Sequence, residues 1–322
     1  MTNDKTNTIH NLPFSIMNEV FDTIIIGAGA AGLTAGIYSS RAKLSTLILN
    51  EGAIGGQLVL TEEIANFPGV PTTKGYMLAN NMKQQAKSFG CKIKSNIKIA
   101  KYSFEDQVKT IELEDGRVFQ GKSVILTPGG RPRSLNLKGE AQFKGKGISY
   151  CATCDGDFFT GKEVVVVGGG NSALEEAVTL TKFATKVTIV HQFDKFQAFE
   201  HAIQEAEKNP KIEFIMESEL RGFYGDIQLE KVTIEYLPTG KISELKTDGT
   251  FIFIGYQPNT EDLQNAVELN DRKEIIVDRD MKTSLNGIFA AGDCIPKKYR
   301  QVTTAVADGT IAALAVSEYL RN

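Results

Sequence analysis

The chain has 322 residues, 42% of them apolar and 23% charged, and its formal net charge is −3. That length suggests about two domains, and the balance is that of an ordinary globular protein. Basic residues are not clustered as a nucleic-acid surface requires, and no apolar run approaches the ~18 residues of a membrane span, so neither partner is expected.

Residues 1–20 are polar and uneven; they lack the basic start and apolar stretch of a signal peptide and read as a loose extension. Beyond them the sequence runs FDTIIIGAGAAGLTAGIYSSRAKLSTLILNEG from Phe21. Residues 24–26, all isoleucine, predict a short buried strand. Gly27, Gly29 and Gly32 predict a turn, and a helix runs on through Ala35 and Tyr38. A second strand over residues 47–49 ends just before Glu51, which stands 19 positions past Gly32 (51 − 32). Strand, GxGxxG, helix, strand and acid is the arrangement that binds a dinucleotide. The glycines make a tight turn and let the backbone approach a pyrophosphate, the helix N-terminus faces the phosphates, and the carboxylate holds ribose hydroxyls.

The four cysteines stand at positions 91, 151, 154 and 294. So few suit a reduced, cytoplasmic setting unless one pair does redox work. Cys151 and Cys154 form a CxxC in SYCATCDGDFFTG, a spacing that closes a very small disulfide ring with a reactive thiol. Zinc is the competing reading, but no second CxxC or close Cys/His pair supplies its other ligands, so no metal is expected. Asp155 follows the pair directly. It is placed to hand a proton to a leaving thiolate, and a helix cap or turn residue is the other reading of it.

A second copy of the strand–turn–helix unit follows in GKEVVVVGGGNSALEEAVTLTKFATKVTIVHQ. Residues 164–167 predict the strand, and Gly168, Gly170 and Ala173 repeat the glycine positions at a constant offset of 141 (168 − 27). Two such units predict an α/β fold with two Rossmann-like nucleotide-binding domains. Asn50 maps onto His191 and Glu51 onto Gln192, so the second copy lacks the ribose-reading acid.

GAGAAG (27–32), GGQL (55–58), NFPG (66–69), CATCDG (151–156), GGGNSALEEA (168–177), GIFAAGDC (287–294) and RQVTTAVADG (300–309) together give the chain its family. It resembles the low-molecular-weight thioredoxin reductases of bacteria and archaea over essentially all of its length after residue 20. The resemblance implies an FAD-binding domain made of residues 1–130 and 256–322, with an NAD(P)H-like domain, residues 131–255, inserted into it and carrying the CxxC pair. It implies a homodimer and a swivel between domains, with hinges at TPGG (127–130) and GYQP (255–258). Carried over residue by residue, Cys154 faces the flavin, Cys151 attacks a thioredoxin-like partner disulfide, and Asp155 manages the thiol proton. Gly27, Gly29, Ala31, Gly32 and Glu51 hold the FAD dinucleotide. Gly292, Asp293, Arg300, Gln301 and Val302 would hold its ribityl chain and flavin ring, with the cofactor-binding residues Gly56, Gln57 and Asn66 nearby.

The pattern breaks in two places. Where the family reads HRRDxxRA after the second unit, with arginines gripping the extra phosphate of NADPH, this chain reads His191-Gln192-Phe193-Asp194-Lys195-Phe196-Gln197-Ala198. A planar guanidinium suits a phosphate in a way that Gln and Phe do not, which counts against NADPH. Pro128 also stands in TPGG where the family has ATGA. Three electron routes follow: a ferredoxin donor, which the missing clamp favours; NAD(P)H, since GGGNSA is retained; or a dithiol oxidase passing electrons to oxygen. A flavin redox sensor without turnover is the reading from another class. Lys297, Lys298 and Arg300 offer a surface to an acidic protein such as ferredoxin, or form a solvated loop.

Overall fold

The computed structural model describes residues 16–61 and 63–321. These fold into two compact units. One comprises residues 16–60, 76–129 and 258–321; the other comprises 61, 63–75 and 130–257.

The first unit opens with β1 (Ile16–Ile26), α1 (Ala30–Arg41), β2 (Thr46–Asn50), α2 (Gly75–Ser88), β3 (Lys92–Ser95), β4 (Ile99–Ser103), β5 (Lys109–Leu113) and β6 (Val118–Leu126). Strands β3, β2, β1 and β6 lie side by side and parallel. Every residue of β2 is buried, as expected of a parallel strand covered on both faces. β1 begins earlier than the three isoleucines suggest: Ile16 pairs with Val118 and Val20 with Gln120. Residues 16–20 of the expected loose extension are therefore strand, because the first half of β6 offers them backbone partners. The rest of that extension lies outside the described residues.

The second unit contains β7 (Gly130–Pro132), α3 (Glu140–Phe143), β8 (Ile148–Ser149), α4 (Ala152–Asp155), β9 (Glu163–Val167), α5 (Asn171–Leu180), β10 (Lys186–Val190), α6 (Glu200–Glu207) and β11 (Ile212–Ile215). It continues with β12 (Ser218–Gly225), β13 (Leu229–Tyr236), β14 (Lys241–Lys246), β15 (Gly249–Ile252) and β16 (Tyr256–Pro258). Its five-stranded sheet, β11-β10-β9-β15-β8, is parallel throughout. Helix α5 turns Ala173, Leu174, Ala177 and Leu180 inward, an apolar stripe at helical spacing. β12, β13 and β14 form a separate antiparallel sheet.

β17 (Ile288–Ala290) and α7 (Val302–Tyr319) return to the first unit. β17 pairs with residues 124–126 of β6, while β5 pairs antiparallel with residues 118–121 of the same strand. The fold is α/β with two Rossmann-like units, the second inserted into the first.

Candidate active site and dinucleotide cradle

In the first unit, β1 delivers the chain into Gly27 at φ +106°, where a methyl group would lie 2.2 Å from the Thr127 carbonyl oxygen at the end of β6. No side chain fits that turn. Gly29 caps α1 and has open space where a side chain would begin. The first bond of the helix ladder runs from Leu33 N–H to Gly29 O, so the amides of Ala30, Ala31 and Gly32 precede it. Asn50 pins the turn by accepting the Ala28 N–H at 2.9 Å. Glu51 stands exposed at the end of β2, and one carboxylate oxygen accepts the Ile99 N–H at 2.9 Å.

Several other expected residues gather here. The Gly55 N–H donates to Ala28 O at 2.7 Å, and a methyl on Gly56 would lie 3.2 Å from Gly29 Cα. That places the 3-10 turn containing Gln57 beside the glycine turn. Gly292 approaches α1 closely, since a methyl there would lie 2.8 Å from Ala31 Cβ. The next residue, Asp293, has a buried Oδ1 with no hydrogen-bond partner among the described residues; Lys297 Nζ lies 3.8 Å away. Burial pushes the Asp293 carboxyl above its usual range, with Lys297 and Arg300 working against that shift. Arg300 pairs with the buried Glu274 at 2.5 Å, and Gln301 donates its N–H to Thr304 Oγ1 at 3.1 Å as Val302 opens α7. Asn66 belongs to the second unit.

Two members of the expected cationic surface are engaged elsewhere. Lys297 forms an ion pair with Asp308, and Arg300 with Glu274. Lys298 is exposed over the ring of Tyr299. Sequence reasoning singled out neither Asp308 nor Glu274; Asp308, which also accepts the Gly292 N–H at 3.2 Å, lay within the RQVTTAVADG motif.

In the second unit Cys151 and Cys154 form a disulfide, with Cα atoms 5.3 Å apart. The Cys154 N–H donates to Cys151 Sγ at 3.1 Å, so a sulfur caps this one-turn helix and Asp155 is free of that duty. Asp155 instead lies against Ser149, whose Oγ is 2.5 Å from Oδ2 and accepts the Cys151 N–H at 3.1 Å. Burial raises the Asp155 pKa and Asp157 adds to that, while the Ser149 hydrogen bond opposes it. Glu176, on α5, accepts the Thr153 N–H; burial raises its carboxyl too.

Glu140 anchors the approach to the pair. Its buried carboxylate accepts from Tyr150 Oη at 2.6 Å, Ser134 Oγ at 2.7 Å, Leu135 N–H at 3.1 Å and Leu137 N–H at 3.2 Å. Burial alone would raise its pKa, but these donors outweigh it and hold the group below its usual range. Ser149, Tyr150, Glu140 and Glu176 were not foreseen; the signal available for the first two was their place directly before the CxxC.

The second glycine turn differs from the first. A methyl on Gly169 would lie 2.3 Å from the His191 ring. His191 is buried, stacks on Phe196 with centroids 5.5 Å apart, and meets Phe193 edge-on at 5.4 Å. Its Nε2 lies 3.0 Å from the Lys195 carbonyl, which can only accept, so Nε2 carries the hydrogen. Burial holds this imidazole below its usual pKa. The Gln197 N–H donates to Gly169 O at 2.8 Å, and the Phe199 N–H to Asn171 Oδ1 at 2.7 Å. The segment after β10 is thereby laid along the turn and the start of α5.

A sequence profile of the family described as "Pyridine nucleotide-disulphide oxidoreductase" matches residues 21–309. The chain belongs to this family. Among its members the chain is 44% identical over 311 residues to the thioredoxin reductase of Peptoclostridium acidaminophilum, covering 94% of this chain and 98% of that one. A "34.2 kDa protein in rubredoxin operon" of Clostridium pasteurianum is also 44% identical, over 93% of this chain and 97% of that one. The crystal structure of thioredoxin reductase from Streptococcus pyogenes MGAS5005 superposes with a TM-score of 0.89 at 39% identity, covering 94% and 99% of the two chains. This family member is a flavoprotein disulfide oxidoreductase of the low-molecular-weight thioredoxin reductase type. No helix among the described residues is long and apolar enough to cross a membrane.

Proposed function

We propose that this protein takes electrons from a ferredoxin-type carrier onto a bound FAD and passes them through Cys151 and Cys154 to a thioredoxin-type protein disulfide. The observation that carries the reading is the Cys151–Cys154 disulfide with the partly buried Asp155 beside it. Residues 1–130 and 256–322 form the FAD-binding domain in this reading, and residues 131–255 the domain that carries the pair. The homodimer rests on the family resemblance and the cytoplasmic setting on the small number of cysteines.

The first cradle fits an adenine dinucleotide. Gly29 opens onto free space at the helix start, and the orphaned Oδ1 of Asp293 lacks a donor that a ribityl hydroxyl would supply. Gly27, Gly29, Ala31 and Gly32 would face the pyrophosphate and Glu51 the ribose. Gly56, Gln57, Gly292, Asp293, Arg300, Gln301 and Val302 would hold the remainder, with Asn66 reaching it from its own segment. Bound there, a flavin supplies the electron pair that reduces the disulfide to the dithiol.

The cysteines do the rest. The Cys151 thiolate attacks the partner disulfide, forming a mixed disulfide, and the partner sulfur that leaves takes the Asp155 proton. The Cys154 thiolate then attacks Cys151 Sγ, releases the second partner sulfur and restores the enzyme disulfide. Two electrons pass from the dithiol to the partner.

Three observations support a protein donor over NADPH. Residues 192–198 contain no arginine. The second glycine turn carries the His191 ring and residues 197–199 against it. A relative 44% identical is described as a "34.2 kDa protein in rubredoxin operon". The test is anaerobic bleaching of the flavin absorbance with NADPH, NADH and reduced ferredoxin in separate runs. Fast bleaching by ferredoxin alone is the expected outcome; fast bleaching by either nucleotide would overturn the donor assignment.

A further inference from the structure

We propose that Ser149 is a positioning residue for thiol exchange, its hydroxyl holding the Asp155 carboxyl against the Cys151 peptide and favouring release of the Asp155 proton. The inference rests on the reading of Asp155 as the proton donor.

Ser149 is buried at the end of β8, and its backbone is fixed by pairing with Phe251 of β15. Its Oγ lies 2.5 Å from Asp155 Oδ2, 3.1 Å from Cys151 N and 3.3 Å from Cys151 O. A hydroxyl has one hydrogen and two lone pairs. The Cys151 N–H can only donate, so it takes one lone pair. The hydroxyl hydrogen then has two acceptors within reach, and Asp155 is much the nearer. Donation to Asp155 stabilises the carboxylate left when the proton departs, and the Cys151 amide keeps the hydroxyl from turning away.

Among the described residues no cation bears on Asp155 to do this instead. Asp157 from the following turn disfavours its charged form. α5 presents Glu176 to the Thr153 amide of the same turn, also an acid. Besides these, the titrating groups of the turn are the two cysteines once reduced. Ser149 is thus the side chain that opposes the effect of burial on this carboxyl. The consequence is kinetic: Asp155 gives its proton to the leaving sulfur at a pH where the same partly buried carboxyl, unassisted, would hold it.

The test uses the full-length protein, chemically reduced and freed of reductant. It is mixed in single turnover with 2-hydroxyethyl disulfide, an alkyl disulfide whose leaving thiolate needs a proton, and thiol release is followed across pH. The wild-type rate should rise as the attacking thiol ionises and fall again as Asp155 loses its proton. Ser149→Ala should move the falling limb to higher pH by about one unit, a tenfold change in proton affinity, which is the low end for losing a hydrogen bond to a charged group. Ser149→Thr, which keeps the hydroxyl, should restore the wild-type limb, and Asp155→Asn should abolish it. A limb absent in Asp155→Asn but unmoved in Ser149→Ala overturns the role of Ser149 alone. A limb that survives Asp155→Asn overturns the assignment of Asp155, and that of Ser149 with it. Unfolding midpoints of the variants separate these outcomes from loss of structure.

Discussion

Asp293 holds a buried acceptor to which no described residue donates, and an unsatisfied buried polar atom costs ~1–3 kcal/mol. Such an atom is tolerated where a ligand completes it. Asp293→Ala should therefore leave the apoprotein folded and weaken FAD binding by about 10- to 100-fold, at 1.4 kcal/mol per tenfold. Flavin fluorescence titration of the apoprotein measures this, and an unchanged affinity would remove Asp293 from the cradle. GAGAAG and CATCD are legible in sequence because their chemistry requires fixed short spacings. Asp308 and Glu274 are harder to read. They meet Lys297 and Arg300 only through folding that spans 11 and 26 positions, and no local pattern announces those pairings.

The two glycine turns show how an element is specified by pairs of residues. At the repeat offset, Ala28 with Asn50 in the first unit becomes Gly169 with His191 in the second. In one, an amide side chain reaches the turn backbone; in the other, an imidazole fills the space of a missing side chain. Gly169→Ala should destabilise the protein by about 1–3 kcal/mol by driving a methyl group into the His191 ring. Adding His191→Asn should recover much of that loss, since it rebuilds the first unit's combination. Denaturant unfolding of the two single variants and the double variant gives the coupling. Simple additivity would show that the two positions are independent. The repeat offset reveals the paired positions, but not that residues 197–199 hydrogen-bond along the turn and helix start, because that contact depends on where the chain goes after β10. The start of β1 at Ile16 is hidden for a similar reason, its partner strand β6 lying far along the chain.

At the scale of the whole molecule, the α/β class is readable because the same strand–turn–helix unit occurs twice, and the insertion of one unit into another is what the family resemblance implies. The antiparallel ribbons β4–β5 and β12–β14 are not, since exposed strands such as β14 carry little apolar signal. Each unit holds one part of the chemistry: the first a cradle with an unpaired acceptor, the second a disulfide flanked by a partly buried acid. Transfer of electrons out through that disulfide, with Cys151 as the attacking sulfur, is the central claim. The direct measurement is to mix reduced Cys154→Ser protein with an oxidised bacterial thioredoxin and examine the products by non-reducing electrophoresis and mass spectrometry. A 1:1 adduct joined through Cys151, released by dithiothreitol and absent for Cys151→Ser, is the predicted result. An adduct formed through Cys154 in the Cys151→Ser protein, with none through Cys151, would contradict it.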